Sequence, residues 1–505
     1  MSGPDAQALA ARVEALMREC VVPGVAIGVV DADGERMWGF GVTNVEHPLP
    51  IDADTVFEIA SITKTMTATV AAMLAAPVPP GALAGRLELD APVRRYIPEF
   101  RVADPDVSER VIVRDLFTHT AGWFGEYLPA TGHGADAIAK GVAAMAGLEQ
   151  ASPSGTFSYN NVSLTLAGRV VEVVAGTPYE QAVRELLFGP LGMTRTAFRA
   201  EDVLYERLAA GHTVRDGKAV LVRSRFAEGS GGAPAGGVRS TARDLLRYAR
   251  FHLGDGTAVG GARLMPAAAL RAMRAPRVAM GPLGHVGLSW FLEQRDGVTI
   301  AAHGGATVAH MSQLAVVPER GAALTILTNG ANGARLCAEV TEWLLTEWLG
   351  LRARVAPAPQ TPQPGLAPYA GSYWAPLSDI SLTAEDGGLV LRVAWKDAVA
   401  ERPTPPPARL AFTAPDTVIA TTGDPAPMGD FIRGADGSIA YFRWGGRVRR
   451  KVSELPSPGA HHFGPLPQLS TGAALGTLTV VRAGPAVPAP DEPHSKGDPH
   501  ERVSR

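Results

Sequence analysis

FEIASITKTMTA, residues 57–68, is the stretch from which the rest of the chain can be read. Ile62, Met66, Val70 and Met73 recur at helical spacing, so a helix is expected to begin at Ser61. Residues three apart share a helix face, with Cβ atoms about 5–6 Å apart. Lys64 is therefore placed to reach the Ser61 hydroxyl, and the seryl oxygen sits at the positive end of the helix. A free serine is a feeble nucleophile and needs a base beside it. A desolvated lysine can be that base, because burial disfavours its charged form. Taken alone, S-x-x-K is expected about once by chance in a chain of this length.

Two further elements give it a context. Tyr159-x-Asn161 precedes a helical pattern at 163–174. A tyrosine beside a lysine is expected to lose its proton more readily than in water and to shuttle protons for the serine. The amide of Asn161 is expected to orient the lysine and a substrate carbonyl. The third element is His303-Gly304-Gly305-Ala306, at the end of a strand expected at 297–303. Its paired glycines let a substrate backbone approach the strand edge. A backbone N–H there, with that of Ser61, is placed to form an oxyanion hole.

Around these elements, residues 1–21 carry apolar positions at helical spacing and read as an amphipathic helix rather than an export signal. VPGVAIGVVDADGERMWGFGVTN reads as two strands joined at Asp33-Gly34. Helices are expected at 179–187, at 333–349, and at 241–253, where Thr241 and Asp244 form a capping pattern. Strands at both ends of this region, with helices between, predict an antiparallel sheet flanked by helices. Residues 353–365 read as a stiff Pro-rich linker. Beyond it SYW, DISLTAE, GLVLRVAW, ARLAFTA, TVIATT, FIRG and SIAYFRW alternate at period two, with Gly437 in a hairpin turn, predicting a small β-barrel or sandwich. The expected layout is a catalytic domain at 1–352, a β domain at 366–454 and a mostly disordered tail at 455–505.

The chain has 505 residues, 46% hydrophobic and 19% charged, with a formal charge of −3. Nothing in that balance neutralises phosphates, so a nucleic-acid partner is not expected. No apolar run reaches membrane-spanning length, and the expected location is cytoplasmic. Cys20 and Cys337 are expected to be free thiols. No cofactor or metal is expected.

S-x-x-K, Y-x-N and H-G-G in this order resemble the serine β-lactamase and penicillin-binding-protein superfamily, whose third element is K-T-G or H-x-G. VRDLFTHTAGW, FSYNNVSLTLAGRVVEVVAG and PAGGVRSTARDLLRYARFHLGDG are similar to its class C-like branch, and the resemblance spans roughly residues 8–350. It implies an α/β (α+β) fold, a helical lobe packed on an antiparallel sheet. It also implies that Ser61 attacks an acyl carbon, Lys64 and Tyr159 move protons, and Asn161 holds the network. The oxyanion donors become the N–H groups of Ser61 and Ala306. His303 replaces the K-T-G lysine, which argues against β-lactam hydrolysis. Residues 75–85, AAPVPPGALAG, depart from the short turn of the family.

The C-terminal β module resembles a lipocalin-like barrel. This two-domain layout is similar to D-peptidases and to stand-alone penicillin-binding-protein-type thioesterases that release and macrocyclise nonribosomal peptides. The expected partner is thus a peptidyl or acyl substrate, including one presented on a carrier protein. The alternatives are a hydrolytic D-aminopeptidase, D-peptidase or carboxylesterase, and more remotely a non-catalytic acyl-binding sensor.

Overall fold

A computed structural model describes residues 3–76, 86–126, 131–223, 230–355, 357–360, 365–385, 388–396, 404–421 and 427–455. Most of the departing stretch at 75–85 and nearly all of the expected tail lie outside the described residues.

The N-terminal hairpin forms strands Gly24–Asp31 and Gly34–Gly41. Its last pair is Asp31 with Gly34, so the turn is Ala32-Asp33, one residue earlier than expected. Gly34, at φ 121°, takes the backbone conformation that a side chain would resist. The hairpin opens an antiparallel sheet in the order 34–41, 24–31, 322–328, 311–317, 298–306, 291–295, 285–286, 278–279. All eight residues of Gly24–Asp31 are buried, because helices cover both faces of the sheet. Val25, Ile27 and Val29 pack with Leu9 and Val13 of helix Ala6–Cys20 and with Leu336 and Val340 of helix Gly333–Trp343. Ala26 and Val30 point the other way, into the core shared with Leu245 and Leu246 of helix Ala242–Leu253. That helix starts as its sequence predicts, with the Thr241 side chain accepting from the Asp244 N–H at 3.1 Å. Cys20 and Cys337 are both free and buried.

The helical lobe is built around Thr63–Ala75, in which every residue but the last is buried. Its four threonines are satisfied within the lobe. Thr65 and Thr69 donate to the Ile62 and Thr65 carbonyls, and Thr67 meets the Tyr179 hydroxyl at 2.7 Å. A helix buried all round this way is a fixed platform rather than a solvated surface element. No helix among the described residues is long and apolar enough to cross a membrane.

The C-terminal module is a closed barrel of eight described strands from Gly371–Trp374 to Arg447–Val452. Seven follow the period-two segments of the sequence. The eighth, RVRRKV, was not expected; it closes the barrel by pairing with both Ile439–Trp444 and Gly371–Trp374. Gln360, in the stretch expected as linker, already donates to the Phe412 carbonyl of the barrel. The barrel core holds Tyr369, Tyr373, Phe412, Phe431 and Phe442, with the Phe431 and Phe442 rings 4.6 Å apart. Truncating Phe442 to alanine is expected to destabilise the barrel by about 3–5 kcal/mol in urea unfolding. A loss well under that would show that the stacked cluster is not its core.

Candidate active site

Ser61 lies in a 3-10 turn, Ala60–Ile62, that runs into helix Thr63–Ala75. The nucleophile candidate thus stands just ahead of the α-helix instead of within its first turn. Ala60 is left-handed at φ 46°, a strained conformation for a residue with a Cβ. The surroundings hold it there: Ile59 donates its N–H to Val238 O at 3.1 Å and accepts the Ser312 hydroxyl at 2.9 Å. A Cβ at Gly305 would stand 2.1 Å from Ile59 O, so glycine is what lets the 298–306 strand close on the serine turn.

Lys64 is fully buried, with Nζ 2.9 Å from Ser61 Oγ and 2.6 Å from the Ala235 carbonyl. Burial, with the Arg447 charge adding to it, holds its ammonium well below the ordinary lysine range. A neutral amine donates to Ala235 O and presents its lone pair to the Ser61 hydroxyl, which is the arrangement of a general base. Ala235 belongs to the short helix Ala233–Gly236, and the neighbouring Pro234 carbonyl accepts from Thr67. Two adjacent carbonyls of this one element thus hold side chains of the lysine helix.

Tyr159 is also buried, its hydroxyl interacting with the Ser61 side chain, though no hydrogen bond of normal geometry is formed. Lys64 Nζ lies 5.0 Å from its ring centroid. The expectation that tyrosine gives up its proton readily is corrected here. Burial outweighs the Ser61 contact and the Arg447 charge and pushes the phenol up to about 12. Tyr159 therefore keeps its proton in the resting site, and Lys64 is the group whose geometry suits a base. The expected contact of Asn161 with the lysine is not formed among the described residues. The polar partners of Lys64 Nζ are Ser61 and Ala235, while Asn161 stands just ahead of helix Val162–Ala175 without a side-chain cap bond and donates its N–H to Gly125 O at 2.8 Å. Asn160 carries the amide bonds instead, donating to Trp123 O and accepting from Ser163 N–H.

His303 lies within a strand that runs on to Ala306, past the expected end at 303. Its ring stacks on Phe291 at 4.6 Å and stands 6.2 Å from Tyr159. Burial first, then the Lys64 charge, lower its imidazolium to about 3, so the ring is neutral. Nδ1 lies 2.7 Å from Gly304 O and so carries the proton, leaving Nε2 as a buried acceptor with no partner among the described residues. Strand Phe291–Arg295 pairs with this strand only as far as Ala302, so its edge is open beyond. Thr307 donates to His310 O on the other side, which makes Ala306–Met311 a non-bonded pair in the alternation. The Ala306 N–H therefore points to the open edge.

The β-barrel forms a wall of this site. The Tyr159 N–H donates to Gly446 O at 2.9 Å, Val448 N–H to Ser158 Oγ at 3.1 Å, and the Arg443 guanidinium to Phe157 O at 3.1 Å. Arg447, in the same hairpin, sets its guanidinium 5.0 Å from the Tyr159 ring centroid. Farther out Phe124 and Trp374 pack edge to face at 5.0 Å, with Arg450 over both rings. From the opposite side His119 grips the same segment. Its carbonyl accepts the Ser158 N–H, its Nδ1 accepts the Asn160 N–H, and its ring meets Tyr159 at 4.8 Å.

Sequence reasoning named Ser61, Lys64, Tyr159 and His303, which the fold brings together, and passed over Arg447, His119 and the Ala235 carbonyl. The THTAG and GGRVRR stretches were the available signals, but neither has a spacing that announces chemistry. Acylation by a p-nitrophenyl ester is expected to rise with pH as Lys64 loses its proton, well below the ordinary lysine range. Replacing Arg447 by Gln removes a charge that disfavours the ammonium, so this limb should move to higher pH in stopped-flow measurements. An unmoved limb would show that the barrel does not act on the lysine.

Comparison with known proteins agrees with this geometry. A family model described as Beta-lactamase matches residues 9–345. Penicillin-binding protein 4 of Amycolatopsis lactamdurans is 35% identical over 379 residues, 72% of this chain and 96% of its own. Esterase EstB of Burkholderia gladioli is 34% identical over 243 residues, 44% of this chain and 58% of its own. A crystal structure of SurE with D-Leu superposes with a TM-score of 0.68 at 25% identity, over 88% of this chain and 99% of that one. With Ser61, Lys64 and Tyr159 gathered between a helical lobe and an antiparallel sheet, the chain belongs to the beta-lactamase family, a hydrolase of the serine β-lactamase and penicillin-binding-protein fold.

Proposed function

We propose that the protein is an acyl-transfer enzyme: Ser61 takes the acyl group of a peptidyl thioester, and the peptide's own amine then releases it as a macrocycle. The observation that carries this reading is the barrel hairpin, which forms part of the site by bonding to Tyr159 and setting Arg447 over its ring. A module that supplies a wall of the pocket selects substrate rather than merely accompanying the catalyst. The similarity to SurE extends over 88% of the chain, beyond the region matched as Beta-lactamase, and that structure carries D-Leu. A D-configured residue at the acyl end is accordingly the expected donor, reaching the site as a thioester on a carrier protein.

Neutral Lys64 takes the Ser61 proton as Oγ attacks the thioester carbon. The N–H groups of Ser61 and Ala306 receive the oxyanion, and the Tyr159 phenol protonates the departing group, then regains a proton from the Lys64 ammonium, which leaves the lysine neutral for the second step. Neutral His303 offers an acceptor instead of a cation, which suits a substrate N–H better than the carboxylate of a β-lactam. A second reading has its own support. The 34% identity to Esterase EstB favours interception of the same acyl-enzyme by water.

Intact-mass spectrometry with a peptidyl pantetheine thioester ending in a D-residue separates these outcomes. The expected course is a Ser61-dependent acyl adduct followed by a product one water lighter than the linear acid. Linear acid alone would move the reading to hydrolysis. An adduct that never turns over would make the protein an acyl-binding sensor. Ser61→Ala should form no adduct, and an adduct on that variant would remove Ser61 from its role.

A further inference from the structure

Glu126 stands at the edge of the site with half of its carboxylate unused. It is 7% exposed, and its Oε2 is buried with no hydrogen-bond partner among the described residues. Its Oε1 faces Arg447 Nε at 3.5 Å, beyond the roughly 2.7–2.9 Å of a charge-assisted hydrogen bond. The pair thus bridges the catalytic region and the barrel without saturating either group. Its position is fixed by its neighbour. The Gly125 carbonyl accepts the N–H groups of Asn161 and Val162, and a Cβ on Gly125 would stand 2.0 Å from Asn160 Cγ. Glu126 therefore follows directly on a residue wedged against the Tyr159-Asn160-Asn161 segment. The guanidinium that it faces lies over the Tyr159 ring.

A carboxylate oxygen only accepts hydrogen bonds, so an unpaired one facing the guanidinium that lies over the Tyr159 ring calls for a donor, and its charge favours a cationic one. We infer that Glu126, held by Arg447, is the binding residue for the amine that attacks the acyl-enzyme. This inference rests on the acyl-transfer reading above. The acceptor class is a primary amine next to a carbonyl, such as a peptide amino terminus, with the ammonium on Glu126 and the carbonyl within reach of the Arg447 guanidinium. An acceptor arriving as an ammonium gives its extra proton to solvent before attack. The amine nitrogen then bonds to the acyl carbon as the carbon–Oγ bond breaks. One amine proton passes to Lys64 Nζ and from there to Ser61 Oγ, restoring the hydroxyl and leaving an amide.

The test charges the full-length enzyme with an N-acetylated peptidyl pantetheine thioester, which has no amine of its own, and offers glycinamide or methanol as acceptor. The ratio of transfer product to hydrolysed acid cancels any change in acylation. Glu126→Gln should lower the glycinamide ratio about tenfold, as loss of a charge-assisted contact does, and leave the methanol ratio where it was. Glu126→Asp, which keeps the charge, should recover most of the loss. An unchanged glycinamide ratio in Glu126→Gln, or an equal fall with both acceptors, overturns the assignment while acyl transfer stands. Failure of the parent enzyme to form any amide overturns both.

Discussion

An amine sealed from water is the constraint on which this structure depends. Lys64 has no exposed surface and touches Ser61 Oγ and Ala235 O. Burying a charged ammonium without a counter-charge costs several kcal/mol, so the group sheds its proton instead. The seal therefore makes the base, and much of the lobe serves the seal. The helix carrying Lys64 is buried along its length, its threonines are satisfied internally, and the Ala233–Gly236 turn gives it two carbonyls. A site opened to water would return the lysine to its ammonium form and leave Ser61 without an acceptor for its proton.

The same sealing explains why the barrel cannot be treated as an appendage. Phe157, Ser158 and Tyr159 form one wall of the cavity, and each is hydrogen-bonded to the barrel. His119 holds the segment from beneath through two backbone bonds and a ring contact, at a left-handed φ of 59° that itself requires support. Tyr159 is thus clamped between an element of the lobe and a hairpin of another module. Its burial, which keeps the phenol protonated, is a joint product of both.

What the sequence made legible was local. Ser61 and Lys64 are three residues apart, the hairpin at 24–41 and the capped helix at 242–253 follow short-range rules, and the β module announced itself by alternation. Each is decided by neighbours within a turn or two of chain. What escaped was assembled across the fold. Arg447 meets Tyr159 and Glu126 from a strand whose charges, in RVRRKV, mask its inward residues, and that strand closes the barrel. The base assignment was split between Lys64 and Tyr159 because burial, which separates them, has no signature in spacing. The motif singled out Asn161, and only the fold shows that the neighbouring Asn160 amide is bonded to the chain around it.

His303 and Arg447 are best understood together. The resemblance allows a lysine or a histidine at position 303, and here the position holds a neutral ring stacked on Phe291, beside Lys64 and Tyr159. A second ammonium there would stand close to both Lys64 and the Arg447 guanidinium in a medium where like charges repel strongly. A positive charge stands instead on the barrel hairpin, where Glu126 faces it and where its field disfavours the Lys64 ammonium. The strand thus brings a neutral ring to the site, the barrel brings a guanidinium over the Tyr159 ring, and Glu126 facing that guanidinium makes a charged pair where the two modules meet.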